Sequence, residues 1–241
     1  MSTAGRAPHP VVLVHGAWHG AWCFATLQAA LDARGVPSYA VDLPGHGIST
    51  APLADLHGDA RAVADVLDLI DRPAVLVGHS YGGAVVTQAA CFHPDVAHLV
   101  YLAAFALDEG ESVVGFFGTQ EPRDVALGSI VRPAGEGSTS VDPDGATKAF
   151  YADCPPAAVA AALPRLSCQS TSGFGQAVDG SPRATIPSTY VRCLRDEAVH
   201  PDHQAAMAAR CTEAVEFDCD HSPFLSRVDD TADLITRIAR A

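Results

Sequence analysis

Basic charge is scarce in this sequence: 15 Lys and Arg stand against 28 Asp and Glu, leaving a net charge of −13. With no cluster of basic residues to neutralise phosphates or anionic lipid, neither nucleic acid nor a membrane surface is an expected partner. Long apolar runs are missing as well, none approaching the roughly 18 residues that a spanning helix needs. The opening stretch MSTAGRAPHP lacks the charged-then-apolar layout of a signal peptide, so a cytoplasmic location is expected. Paired cysteine spacing is also absent. The seven cysteines (Cys23, Cys91, Cys154, Cys168, Cys193, Cys211 and Cys219) are odd in number and scattered without a C-x-x-C motif. They suggest neither a disulfide framework nor a zinc knuckle, and most are expected to be buried small hydrophobes. No internal repeat or low-complexity tract is evident.

What is present is an alternation of short apolar runs and amphipathic stretches. VVLVH (11–15) reads as a buried strand, followed by a helical WCFATLQAALDARG that stops at Gly35. A strand in SYAVDLPGHG, a helix DARAVADVLDLIDR ended by Pro73, and a strand AVLVG come next. Then GGAVVTQAACFHP reads as a helix stopped by Pro94, AHLVYLAAF as a strand, and, after a long interval, STYVRCL and EAVEFD as two more. Strand and helix repeated in this way predict an α/β fold, a mostly parallel sheet with helices on both faces. A length of 241 residues suits one such core.

The interval from Leu107 to Pro187 breaks the rhythm. It is rich in Gly, Pro, Ser and Thr, carries a helical PPAAVAAALPRL, and is too long to be one structureless loop. The expectation is an inserted cap, or lid, over residues 107–187, with residues 1–106 and 188–241 forming the core; a separate small domain or a linker is the alternative.

The stretch LVGHSYGGAVV places Ser80 between an apolar strand and a helix and surrounds it with Gly78, Gly82 and Gly83. G-x-S-x-G in that context is the nucleophile elbow, where a strained turn aims the serine hydroxyl above the strand ends. An ordinary helix-capping serine would explain Ser80 but not the glycines around it. A serine hydroxyl needs a base, and the base a carboxylate to orient it. His221, in DCDHSPFLS after the last strand, is the expected base, and Asp196, in LRDEAVHP at a strand tip, the expected acid. Asp108, in FALDEG, is the rival carboxylate, whereas Asp218 and Asp220 lie too close in sequence to His221. His79 and His46 read as loop histidines making structural hydrogen bonds, and His200 and His203 as a solvated helix start. No third ligand candidate accompanies the last two, so no metal is expected.

The glycine-rich VHGAWHGAW after the first strand lets the Ala17 N–H turn toward a developing oxyanion, with the N–H of Tyr81 as second donor. Trp18 is a candidate pocket wall beside that donor. Phe116, Phe117, Phe150 and Tyr151, in the insertion, are candidates for setting substrate size, with burial in a small core of the insertion as the alternative.

The segments VVLVHGAWHGAWCF, VDLPGHG, LVGHSYGG, YVRCLRDEAV and CDHSPFLS together resemble the α/β-hydrolase superfamily, specifically the branch of plant methyl esterases and hydroxynitrile lyases with their bacterial relatives. The resemblance spans both ends of the chain and covers the insertion poorly. It implies the α/β-hydrolase fold with a cap, no cofactor, a Ser80, Asp196 and His221 triad, and oxyanion donors at Ala17 and Tyr81. Three activities stay open at this point: hydrolysis of small carboxylic esters, methyl esters among them, through an acyl-serine; a cyanohydrin-type carbon–carbon lyase using the same residues; and a small-molecule binding protein on the same fold. In the lyases that the chain resembles, a lysine follows the base histidine and a threonine follows the first-strand histidine; here those places hold Ser222 and Gly16. Both departures favour the hydrolase. The expected partner is a small-molecule ester, with a homodimer left open.

Overall fold

The computed structural model describes residues 7–241; residues 1–6, which open the core segment and the stretch read above for a signal peptide, lie outside the described residues. In chain order the first part comprises β1 (Val11–Val14), α1 (Ala25–Ala33), β2 (Ser38–Val41), α2 (Leu56–Ile70), β3 (Ala74–His79), α3 (Gly82–Phe92) and β4 (Val96–Leu102). The inserted segment holds α4 (Val113–Thr119), β5 (Val131–Pro133), β6 (Ser138–Val141), α5 (Pro143–Phe150), α6 (Pro156–Ala162), β7 (Gln169–Ser170) and α7 (Ser172–Gly175). The chain then returns through β8 (Ser188–Cys193), α8 (Pro201–Ala208), β9 (Glu213–Phe217), α9 (Pro223–Ser226) and α10 (Val228–Ala239).

Six strands form one sheet in the order β2-β1-β3-β4-β8-β9, every neighbouring pair parallel. A parallel sheet is covered on both faces, which is why VVLV and AVLVGH are apolar almost throughout and buried at every position. Successive side chains point to opposite faces. Val12, Val14, Leu76 and Tyr101 accordingly pack with Leu56, Ala60, Val63 and Leu67 of α2 and with Ala84 and Val85 of α3. Val11, Leu13, Val75, Val77 and Val100 pack on the other face with Leu27 and Leu31 of α1 and Leu234, Ile235 and Ile238 of α10. No helix among the described residues is long and apolar enough to cross a membrane.

The helices start and stop close to where the sequence predicts. Gly35 has φ +71° just beyond α1, as a residue ending a helix in the left-handed region does. α2 begins three residues before the predicted DARAVADVLDLIDR, because the Asp55 carboxylate caps it by accepting from the Gly58 N–H at 2.9 Å.

Residues between β4 and β8 build a three-stranded antiparallel sheet, β5-β6-β7, with short helices around it. Its apolar side chains do not form an isolated core: Phe116, Ala146, Ala149, Phe150 and Tyr151 belong to the same buried cluster as α2 and α3. Polar ties join it to the sheet loops. Trp18 Nε1 donates to Thr139 Oγ1 at 3.2 Å, the Tyr151 hydroxyl to His19 Nε2 at 2.7 Å, and the Asp153 N–H to Asp220 Oδ2 at 2.9 Å.

The strand order reverses direction at β1, since β2 lies on one side of it and β3 on the other. In open parallel sheets the crevice beyond the strand ends at such a switch point is where ligands bind. The loops after β1 and β3 carry Ala17, Trp18 and Ser80.

Candidate active site

Ser80 has φ +52°, a left-handed conformation that a serine adopts only when its surroundings impose it. Backbone bonds impose it here: the Ser80 N–H donates to Leu102 O at 3.2 Å, and its carbonyl accepts from Gly83 at 3.0 Å and Phe105 at 3.1 Å. The glycines are explained by space. A Cβ on Gly82 would lie 2.5 Å from the Val14 carbonyl oxygen, and one on Gly78 would overlap the Gly82 carbonyl. Strands β1 and β3, the turn and helix α3 therefore approach more closely than a side chain at Gly78 or Gly82 permits.

Asp196 and His221 are buried and hydrogen-bonded, with the Nδ1–H of His221 donating to Asp196 Oδ2 at 2.6 Å. Three further donors hold that carboxylate. Oδ1 accepts from the N–H groups of Ala198 (2.7 Å) and Val199 (2.9 Å), and Oδ2 also accepts from Gln204 Nε2 (2.9 Å). Asp220 ties the loop ahead of the histidine, accepting from the Ser222 N–H at 3.2 Å and the Ser226 hydroxyl at 2.7 Å. His79 links this pair to the serine turn. Its Nε2–H donates to the His221 carbonyl at 2.9 Å, and the two rings lie 4.5 Å apart.

Asp108 is drawn elsewhere. It pairs with the nearly buried Arg183 and, at 3.4 Å, with Arg210, so its charge is engaged by arginines rather than by His221.

The loop after β1 is set by two neutral histidines. Leu43 N–H donates to His15 Nε2 at 3.2 Å, leaving Nδ1–H to donate to the Gly16 carbonyl at 2.8 Å. His19 likewise accepts from Tyr151 at Nε2 and donates from Nδ1 to the Ala17 carbonyl at 2.7 Å. Burial lowers the pKa of both rings, His15 well below the usual range and His19 to about 4, so each stays neutral and can donate from one nitrogen while accepting at the other. In a trans peptide the N–H points opposite to the C=O. With Gly16 O held by His15, the Ala17 N–H is turned the other way. The N–H groups of Ala17 and Tyr81 have no acceptor among the described residues.

Ser80, Ala17 and Tyr81 line a cavity of about 260 Å³. Trp18 and Phe117 are in its wall, together with residues that the sequence did not single out: Phe105, Val113, Val114, Leu127, Val131, Thr139, Phe174, Ala198 and Val199. Phe116, Phe150 and Tyr151 are fully buried behind it. Phe150 packs against Trp18 (6.1 Å) and His221 (5.9 Å), while Phe116 packs against Phe105 (6.4 Å), so these rings support the wall rather than form it. Trp18 itself has φ +63°, the second strained residue of the site.

One expectation changes in detail. His203 is buried rather than solvated, its Nε2–H donating to the Glu121 carbonyl at 2.9 Å, while His200 caps α8 by accepting from the Asp202 N–H at 3.1 Å. Gln204, one turn along α8, was invisible as a site residue, because a lone glutamine in a polar stretch carries no motif. His19 had a signal, the repeated H-G-A-W after β1, that points to a second histidine of the same loop.

The alpha/beta hydrolase family matches residues 11–234. The pyrethroid hydrolase of Sphingobium wenxiniae is 30% identical over 247 residues, spanning 96% of this chain and 88% of that one. Methylesterase 1 of Arabidopsis thaliana is 26% identical over 269 residues, spanning 99% and 98%. The crystal structure of a pyrethroid hydrolase from Sphingobium faniae JZ-2 superposes with a TM-score of 0.85 at 28% identity, covering 97% of this chain and 98% of that one. A family match over nearly the whole chain, a shared fold and a strained serine at the β3–α3 turn agree: this chain belongs to the alpha/beta hydrolase family.

Proposed function

We propose that the protein is a serine esterase that hydrolyses small, mainly apolar carboxylic esters through an acyl-Ser80 intermediate. The observation that carries this reading is the left-handed Ser80 opening on an apolar cavity, with its chain neighbour His79 bonded to the carbonyl of His221 in the buried His221–Asp196 pair. Its relatives include proteins named as hydrolases of a pyrethroid and as methylesterases, which supports an ester as the substrate.

Each residue then has one task. Asp196 accepts from Nδ1–H of His221, which leaves Nε2 with its lone pair. Nε2 takes the Ser80 proton as Oγ attacks the ester carbonyl. The oxyanion that forms is stabilised by the N–H groups of Ala17 and Tyr81, which have no other acceptor among the described residues. As the tetrahedral intermediate collapses, His221 returns the proton to the leaving alkoxide. A water molecule deprotonated by the same nitrogen then attacks the acyl-serine, and the acid is released.

The cavity sets the substrate class. Its side chains are Ala, Val, Leu, Phe, Trp and Tyr apart from Ser80 and Thr139, and Thr139 already accepts from Trp18. No charged side chain lines it. A charged acyl or alcohol group would lose its hydration without a partner, at a cost of several kcal/mol, so uncharged groups are favoured. Residues 107–187 act as the cap that closes this cavity over the strand tips. The absence of a lysine beside His221 argues against cyanohydrin cleavage, because Ser222 supplies no charge for a departing cyanide. Gly16 also packs close to the serine, where a Cβ would lie 2.9 Å from Ser80 Cβ.

The test is a panel of aryl and methyl esters, with mandelonitrile as the lyase substrate, assayed beside the Ser80→Ala variant. Expected are ester hydrolysis by the native chain, a loss on the order of a million-fold in folded Ser80→Ala, an organophosphate adduct on Ser80, and no cyanide release above background. Full activity of folded Ser80→Ala, or cyanide release without ester hydrolysis, overturns the reading.

A further inference from the structure

Asp59 lies on the apolar face of α2, in line with Leu56, Ala60, Val63 and Leu67, and is only 1% exposed. Its neighbours Asp65 and Asp68 on the same helix are exposed, as carboxylates normally are. Oδ2 of Asp59 accepts the Tyr81 hydroxyl at 2.8 Å, while Oδ1 is buried without a partner. Burial pushes this carboxyl up to about 7, the hydrogen bond from Tyr81 opposes the shift, and Asp55, one turn earlier, adds to it. A buried, half-satisfied carboxyl costs stability, so its presence here calls for a role beyond packing.

Tyr81 is the residue next to Ser80. The proposed mechanism uses its N–H as an oxyanion donor, and the residue lines the cavity. The ring is 1% exposed and stands edge-on to Phe174, with centroids 5.3 Å apart. Beyond the hydroxyl lies the backbone of α7: a Cβ on Gly173 would overlap the hydroxyl oxygen. The same stretch braces α2, where the His57 N–H donates to Gln176 Oε1 and the His57 ring bonds the Ala177 carbonyl, both at 3.1 Å. The Tyr81 hydroxyl is thus held between a buried carboxyl and the inserted segment, at the far end of the residue whose backbone faces the reacting carbonyl.

We propose that Asp59 is a positioning residue for ester hydrolysis: through the Tyr81 hydroxyl it fixes the side chain of this cavity-lining residue and, with it, the backbone N–H that stabilises the oxyanion. The inference rests on the acyl-serine reading above. Losing this anchor leaves the donor present but loosely aimed, which weakens binding of the tetrahedral species more than binding of the ester.

The experiment uses the full chain and four variants: Asp59→Asn, which keeps an oxygen to accept from Tyr81, Asp59→Leu, Tyr81→Phe, and Asp59→Leu combined with Tyr81→Phe. For each, kcat and KM on an aryl ester, inhibition by an aryl trifluoromethyl ketone that forms a tetrahedral adduct with the serine, and the melting temperature are measured. Asp59→Leu and Tyr81→Phe are each expected to lower kcat about tenfold, the scale of one hydrogen bond, with KM within about twofold. The ketone should weaken in parallel, the double variant should be no worse than either single one, and Asp59→Asn should recover most of the loss. If Asp59→Leu does not fold, Tyr81→Phe, which removes one oxygen atom, decides alone. Native kcat and ketone affinity in Tyr81→Phe, or losses that multiply in the double variant, overturn the proposal even if melting temperatures fall. A native chain that neither hydrolyses esters nor forms the ketone adduct overturns the acyl-serine reading and this one together, whereas an active chain indifferent to Tyr81→Phe overturns this one only.

Discussion

Four hydrogen bonds converge on the Asp196 carboxylate, from His221, Gln204 and the backbone of Ala198 and Val199, so the imidazole is held in one tautomer by a group that is itself immobile. Asp196→Asn is expected to lower kcat by about four orders of magnitude by imposing the wrong tautomer, while Asp108→Asn, whose partners are Arg183 and Arg210, should change it little. Kinetics of the two variants on one ester check this, and the reverse ranking moves the acid to Asp108. Asp59 gives a second prediction at this scale. Burial raises its pKa in the folded chain to about 7, above the ordinary aspartate value of 3.8, so the folded chain holds a proton that the unfolded chain has already released between those values. The contribution to stability is full below about pH 4 and is lost as pH rises toward 7, at about 1.4 kcal/mol per pH unit. Urea unfolding of the native chain and of Asp59→Asn across that range measures it; a stability difference between the two that does not change with pH contradicts it. The strained Ser80 turn and the pairing of Asp196 with His221 were legible because these residues sit at or just beyond strand ends within recognisable short motifs. Asp59 and Gln204 were not, since a helical carboxylate and a helical glutamine are almost always solvated and only tertiary packing buries these two.

The elements themselves follow from local physics. β1 and β3 are apolar at both parities because both faces of a parallel sheet are covered, and α2 shows its buried positions at three-to-four spacing. Gly78 and Gly82 announce a close crossing of strand, turn and helix, and the structure shows the backbone atoms that a side chain would strike. The short elements of the insertion were less legible. β7 has only two residues and α7 four, too few to display a period, and they exist because β6 and the α2–α3 face are there to pair and pack with them.

For the whole molecule, the insertion and the sheet share one buried core, and the cavity lies where they meet. Phe117 is 40% exposed and Val114 61%, both on α4 in the cavity wall, so this part of the wall is open to solvent. Phe117→Ala should therefore raise relative rates on bulkier acyl groups across a chain-length series. Phe116→Ala, one residue away but wholly buried, should leave that ranking unchanged and lower stability by about 3–5 kcal/mol. Equal shifts in preference for both variants, or none for Phe117→Ala, contradict this division of the aromatic residues.

The sequence by itself determined the strand and helix alternation, the strained serine turn and the identities of the residues around it, because those depend on local period, on glycine and on short motifs at strand ends. Only the tertiary structure decided which of two carboxylates meets His221, which aromatic rings face the cavity and which stand behind it, and that Asp59 grips Tyr81. These depend on approach between segments far apart in the chain: 25 residues separate Asp196 from His221, and 22 separate Asp59 from Tyr81. No local pattern encodes that approach; it is fixed when the sheet closes its crossovers and the insertion packs onto α2 and α3.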